Sequence, residues 1–176
     1  MTAASVCPVC GLDFDSIKPL DAIAAIRSFP RRYRAALTTF GQDEDADAVI
    51  RRRPGPDEWS ALEHAAFAAD MIDRYAPSVR RMLIEDDPTV PFFDPESRLE
   101  EDNWNERPVR EVVSAMETAC ADMASTLDTV DAGDWTRKGR FDWGERDVLA
   151  AAREAVHQGS HHLRDVERVL RMVRGR

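Results

Sequence analysis

Apolar residues recur at steps of three and four along most of the chain, which is the spacing of a buried helical stripe. The pattern predicts four helices, at residues 20–40, 57–84, 108–130 and 145–173. Pro30 predicts that the first helix is split, with Ser28 capping its second half. In the second helix, Asp57 is predicted to be the N-cap and Pro77 to cause a kink or an end. Alternating β-branched runs are absent. The sequence therefore predicts an all-α protein, an antiparallel four-helix bundle with a long crossover loop.

The segments between and before these helices carry further predictions. Residues 85–107, rich in Pro, Asp and Glu, form the longest connection, and loops of that length are usually functional or wrap across the fold. Trp135, Phe141 and Trp143 in the last connection are predicted to cover the core. We expect residues 1–18 to be an N-terminal extension and residues 19–176 to form the bundle.

Length and charge exclude several classes of function. The 176 residues are 43% apolar and 32% charged, which is enough for one core. Lys and Arg number 24 against 33 Asp and Glu, so the net charge is −9, and a nucleic-acid partner is not expected because it needs a basic surface. No apolar stretch is long enough to span a membrane, and the first residues do not resemble a secretory leader. We expect a cytoplasmic protein without a membrane partner.

Three of the four histidines, His157, His161 and His162, lie in one short stretch of the last predicted helix. The apolar seam of that helix runs along Val148, Ala152, Ala155, Gly159, Val166, Val169 and Val173. His162 and Gln158 flank this seam and are predicted to face the bundle interior, whereas His157 and His161 point away from it. These two are four residues apart, a spacing at which two imidazoles can reach one ion.

The cysteines suggest what the outward pair of histidines could share. Cys120 lies in an apolar helical stretch and is predicted to be a core side chain. Cys7 and Cys10 have the C-x-x-C spacing of a metal site or a redox pair. With His157 and His161 they make the ligand set of a tetrahedral structural zinc. Two alternatives remain. In the first, the cysteines act without the histidines, either as a redox pair or as a site completed in a dimer. In the second, neither motif has a role.

Three segments resemble one family: residues 59–70, the loop at 85–88, and residues 157–166. They are similar to segments of the DinB-like superfamily, especially to actinobacterial members that begin with a C-x-x-C-G motif like residues 7–11. The resemblance runs over nearly the whole chain. It implies a four-helix bundle that holds a divalent metal, usually zinc or nickel. It also implies a relation to thiol S-transferases and to a maleylpyruvate isomerase that use mycothiol or bacillithiol.

The chain departs from this family at the inner metal position. Family members carry a histidine where this chain has Phe67, and the other two family ligands match Gln158 and His162. A phenyl ring has no ligand atom, and a neutral amide oxygen is a poor ligand for zinc, so the resemblance implies a degenerate inner site. His64 lies one turn before Phe67 and is an inner candidate, although a lone helical histidine is more often a packed residue. An alternative registration groups His64 with the outward pair of histidines.

Two hypotheses of function follow. The principal one is a metal-binding bundle protein with a structural zinc, or nickel or another divalent ion in its place, and a binding or structural role. The rival is a metal-dependent thiol S-transferase or isomerase, in which His64 and two histidines of the last helix hold an ion that activates a small-molecule thiol. By analogy with related bundles, we expect a homodimer.

Overall fold

Four long helices form a bundle in the computed structural model, which describes residues 5–91 and 103–175. The helices are α1 (Pro19–Thr38), the short α2 (Ala46–Arg51), α3 (Ala61–Ile84), α4 (Val109–Asp128) and α5 (Val148–Val173). α1 and α3 each pack against both α4 and α5, so they lie diagonally opposite each other. The predicted four-helix bundle is confirmed. No helix in the described part of the chain is both long and apolar enough to cross a membrane.

A close contact with α1 fixes the rotation of α5. Gly159 faces Phe29, and a Cβ atom added to Gly159 would lie 2.2 Å from Cε2 of that ring. The hydroxyl of Tyr33 donates a hydrogen bond of 2.9 Å to the carbonyl oxygen of Gly159. Because no side chain fits between the two helices here, α5 must present residue 159 to α1 and turn its polar residues to other faces.

Side-chain caps start the long helices α3 and α5. The hydroxyl of Ser60 accepts a hydrogen bond from the amide of Glu63, and the carboxylate of Glu63 accepts one from the amide of Ser60, which is a capping box for α3. Asp147 caps α5 by accepting from the amide of Ala150 at 2.7 Å. The prediction that Asp57 caps the second long helix is wrong, because the chain is still turning there and the helix begins only after Ser60.

Neither internal proline ends its helix. α1 continues through Pro30, so the predicted split is wrong, and Ser28 donates its hydroxyl to the carbonyl of Ala25 at 2.7 Å instead of capping a new helix. α3 continues through Pro77. A proline inside a helix costs about 3 kcal/mol. Buried residues on both sides of it, such as Tyr33 in α1, hold each helix against the core and offset that cost.

A short β-hairpin that the sequence pattern did not predict precedes α5. β1 (Lys138–Phe141) pairs antiparallel with β2 (Gly144–Asp147), and this is the single paired sheet within residues 5–91 and 103–175. Neither strand contains a β-branched residue, so no alternating pattern marks it.

The aromatic residues predicted to cover the core do so in part. Phe141 is buried and Trp135 packs against the core, but Trp143 is 38% exposed and does not cover the core. Residues 92–102 of the predicted crossover lie outside the described residues.

We predict that Gly159→Ala lowers the free energy of unfolding by about 1–3 kcal/mol, because the added methyl group overlaps the ring of Phe29. Urea denaturation measures the change. Gly133→Ala is the control, since a Cβ atom at that position meets nothing within 4 Å. Phe29→Leu in the Gly159→Ala background should recover part of the loss. A Gly159→Ala variant as stable as the wild type would contradict the contact.

Candidate metal centre

The two cysteines of the N-terminal extension lie in a tight loop. The amide of Cys7 donates to the carbonyl of Leu12 at 2.9 Å, and the amide of Gly11 donates to the carbonyl of Cys7 at 2.8 Å. Gly11 has a φ of +69°, a left-handed conformation that favours glycine. The chain thereby turns back on itself and keeps the thiols of Cys7 and Cys10 near each other.

Helix α5 brings two imidazoles to these thiols. His157 and His161 stand one turn apart, with their ring centroids separated by 5.1 Å. Sγ of Cys7 lies 3.7 Å from Nδ1 of His161. One potential ligand atom from each of Cys7, Cys10, His157 and His161 lies within 4.8 Å of the other three. We call these four residues the outer cluster.

Contacts beside the outer cluster dock the extension on α5. Nε of Arg153 donates a hydrogen bond of 3.0 Å to the carbonyl of Ile17, and Nη2 donates to the carbonyl of Asp15 at 3.3 Å. The ring of Phe14 packs on that of His157, with a centroid separation of 5.1 Å. Hydrogen bonds and ring packing around the outer cluster therefore hold its residues in place.

The two thiols of the outer cluster differ in acidity. Burial acts to raise the pKa of Cys7, but hydrogen bonds from the loop amides and from His157 and His161 outweigh it and bring the pKa down to about 5. Burial raises the pKa of Cys10. Cys7 is therefore a thiolate at neutral pH, which is the form that binds metals. Cys120 lies in the core as predicted, and burial raises its pKa to about 12.

The outer cluster fits a tetrahedral zinc. Two thiolates and two imidazoles are a usual structural set, and bonds of about 2.3 Å to sulfur and about 2.0 Å to nitrogen place S and N about 3.5 Å apart. The observed Cys7–His161 separation of 3.7 Å is close to that value. Nε2 of His157 is buried and has no hydrogen-bond partner among the described residues. Buried polar atoms rarely lack a partner, and a metal is one partner that an imidazole can take.

A second group of potential ligands lies inside the bundle. His64 of α3 and His162 of α5 face each other with their Nδ1 atoms 3.1 Å apart, and a carboxylate oxygen of Asp165 lies within 4.8 Å of a ring nitrogen of each. We call these three residues the inner cluster. Aromatic rings border it: the centroid of Trp59 is 5.3 Å from that of His64, and the centroid of Phe67 is 4.6 Å from that of His162.

Burial keeps the two inner histidines neutral. It lowers the pKa of His64 to about 4, although the negative charge of Asp165 opposes the shift, and it lowers the pKa of His162 well below its usual range. A neutral imidazole has the lone pair that a metal ligand requires. The inner cluster thus offers two neutral imidazoles and one carboxylate, which leave part of the coordination sphere of a metal open.

The structure brings together three of the four residues predicted for the inner pocket, His64, Phe67 and His162. His64 lies beside His162. The alternative registration, which groups His64 with His157 and His161, is therefore wrong. Phe67 is 7% exposed and packs on His162, so a phenyl ring fills the position where the resemblance expects a ligand. Gln158, the fourth, is half-buried.

Sequence reasoning missed Asp165. Its Oδ2 lies 3.3 Å from Nε2 of His161, and its Oδ1 lies 3.3 Å from Nε of Arg168. Asp165 follows His161 by four residues and His162 by three, and helical neighbours at those spacings meet. That spacing was the available signal.

A four-helix bundle with two clusters of potential metal ligands, each including residues of its last helix, defines the class as a candidate metal-binding bundle protein. Residues 25–166 match the family model of the DinB superfamily, and the chain belongs to that superfamily. No curated protein sequence matches the chain.

Two solved structures show the same fold. YfiT from Bacillus subtilis, described as a probable metal-dependent hydrolase with an unusual four-helix bundle topology, superposes with a TM-score of 0.78 at 14% identity, over 89% of this chain and 90% of that chain. A histidine-to-alanine mutant of the mycothiol-dependent maleylpyruvate isomerase gives a TM-score of 0.67 at 12% identity, over 87% of this chain and 62% of that chain. At such identities the likeness shows the fold alone.

We predict that the free energy of unfolding of the metal-free protein falls in acid because His64 becomes protonated. The pKa of His64 is about 4 in the folded chain and about 6.5 in the unfolded chain, so the unfolded state takes up the proton first. Its contribution to stability is complete above pH 6.5 and is lost as the pH falls towards 4. In chelator, urea denaturation of His64→Gln should show a shallower loss of stability over this range than the wild type. Parallel profiles would contradict the prediction.

Proposed function

We propose that the protein is a zinc-binding member of the DinB superfamily with a binding or structural role, in which a zinc ion at the outer cluster joins the N-terminal extension to α5. The observation that carries the proposal is the outer cluster itself, in which four residues each bring a ligand atom within 4.8 Å of the others. Four protein ligands leave no open coordination position, which is typical of structural zinc and not of catalytic zinc.

Only part of the apolar surface of the extension holds it on the bundle: Ile17 is 8% exposed and Leu12 packs against the core. Val6 and Val9 are 46% and 69% exposed, so their side chains contribute little burial. The ligands of the outer cluster come from the two ends of the sequence and meet only in the folded chain. The free energy of zinc binding therefore becomes free energy of folding, in addition to the packing of the extension.

The position of Phe67 supports a role that does not depend on an inner catalytic metal of the family type. Its ring packs against His162, Trp59 and Trp104, with centroid separations of 4.6, 5.1 and 6.0 Å. This apolar packing occupies the place of one family ligand. A binding or structural role requires no ligand there.

We predict that the untagged protein carries about one more zinc ion per chain than its Cys7→Ser variant. A site that zinc saturates about 1,000-fold above its dissociation constant adds about 4 kcal/mol, so Cys7→Ser or chelation should lower the melting temperature by about 10 °C. Metal analysis and thermal unfolding measure the two effects.

Cys120→Ala is the matched control for the loss of a thiol, since Cys120 lies in the core away from both clusters. This variant should keep the zinc content of the wild type. Equal zinc content in the wild type and Cys7→Ser, or a melting temperature that chelator does not change, would contradict the proposal.

A second candidate function is a metal-dependent thiol S-transferase, and the paired imidazoles of His64 and His162 inside the bundle favour it. A divalent ion held there would lower the pKa of a bound small-molecule thiol. The protein would hold that ion with the neutral imidazoles of His64 and His162. The rings of Trp59 and Phe67, which border these imidazoles, would exclude water.

The two functions differ in a rate assay. With a small thiol and chlorodinitrobenzene as the electrophile, a transferase should conjugate the thiol faster than its His162→Ala variant does. If the role is binding or structural, the wild type and His162→Ala should both match the uncatalysed rate.

A further inference from the structure

The carboxylate of Asp165 contacts both clusters. Its Oδ2 lies 3.3 Å from Nε2 of His161, whose other nitrogen faces Sγ of Cys7 in the outer cluster. The same side chain belongs to the inner cluster with His64 and His162. One carboxylate therefore joins a candidate zinc ligand to a second set of metal ligands.

We propose that the inner cluster binds a second divalent cation and that Asp165 couples this site to the zinc of the outer cluster. The coupling rests on the proposed function, because it requires a metal on His161. The inference goes beyond that function, because it adds Asp165 as a ligand of the inner ion and links the affinities of the two sites.

The separation of the inner nitrogens suits a shared ion. Two nitrogens at about 2.1 Å from one metal are about 3.0 Å apart at a right angle and about 3.4 Å apart at a tetrahedral angle. The Nδ1 atoms of His64 and His162 are 3.1 Å apart. Two imidazoles and one carboxylate form a set that binds zinc and other divalent transition metals.

The charges allow both sites to be filled at once. Two thiolates cancel the charge of a zinc ion, so a filled outer cluster is neutral and does not repel an ion at the inner cluster. Arg168 lies on the other side of Asp165, with Nε 3.3 Å from Oδ1, and it also contacts Glu58 at 3.3 Å. The positive charge of Arg168 is thus shared between two carboxylates. Part of the negative charge of Asp165 therefore remains available to a cation.

The 3.3 Å approach of Nε2 of His161 to Oδ2 of Asp165 explains how one site affects the other. When Nδ1 of His161 binds zinc, the ring proton must be on Nε2, and it is then donated to Oδ2 of Asp165. This hydrogen bond and the contact with Arg168 fix the carboxylate in place for the inner ion. Outer zinc therefore raises the affinity of the inner cluster, and by linkage an inner ion raises the affinity of the outer cluster.

Cobalt(II) distinguishes the two sites, because thiolate ligands give a strong charge-transfer absorption that nitrogen and oxygen ligands do not. Titration of the untagged, metal-free full chain should fill about two sites per chain, one of them with this absorption. His64→Ala should lose the ion without the absorption and keep the other, which also shows that the variant folds. His162→Gln repeats this test at a second inner ligand.

The coupling is measured as the cobalt affinity of the inner cluster. Cys7→Ser should abolish the thiolate absorption and weaken inner binding about 10-fold. Asp165→Asn should weaken inner binding by about 10- to 100-fold, and adding Cys7→Ser to it should cause no further loss. Glu167→Gln removes an exposed carboxylate of the same helix and should change nothing.

The outcomes separate this inference from the proposed function. A single site with the thiolate absorption, unchanged in His64→Ala, would overturn the inner site and leave the zinc proposal intact. Absence of that absorption in the wild type would overturn the zinc proposal. Equal inner affinity in the wild type and Cys7→Ser would overturn the coupling.

Discussion

The contact between Gly159 and Phe29 is the constraint on which both clusters of potential metal ligands depend. It brings α5 so close to α1 that the side of α5 facing Phe29 must carry a residue without a side chain. Successive residues of a helix diverge by about 100°, so His161 and His162 leave the backbone in different directions. His161 meets the N-terminal extension, and His162 meets His64 of α3. One short stretch of helix therefore serves two sets of ligands.

Much of the fold follows from local pattern. The four long helices carry sustained apolar periodicity, and the same periodicity indicated that His162 and the pair of His157 and His161 would occupy different surroundings. Proline was misleading in α1, because local propensity predicts a break at Pro30 whereas burial on both sides keeps the helix whole. The hairpin of residues 138–147 carries no local signal, since its strands are short and polar.

The candidate site was harder to predict than the fold, because its parts meet only through tertiary packing. The pairing of His64 with His162 depends on how α3 packs on α5, and no spacing within either helix reveals it. Asp165 has a local spacing signal, but its relevance emerges only once both histidines lie beside it. The departure at Phe67 is the reverse case: the missing ligand is evident from the sequence, and the structure adds that the ring packs on His162. Membership of the superfamily thus establishes the fold, and these side chains determine the chemistry.

The most direct test of the central claim is zinc-edge X-ray absorption on the untagged His64→Ala variant, in which the outer cluster is intact and the inner one is not. We expect a four-coordinate zinc with two sulfur atoms at about 2.3 Å and two nitrogen atoms at about 2.0 Å. A protein without zinc, or a zinc whose ligands include no sulfur, would contradict it.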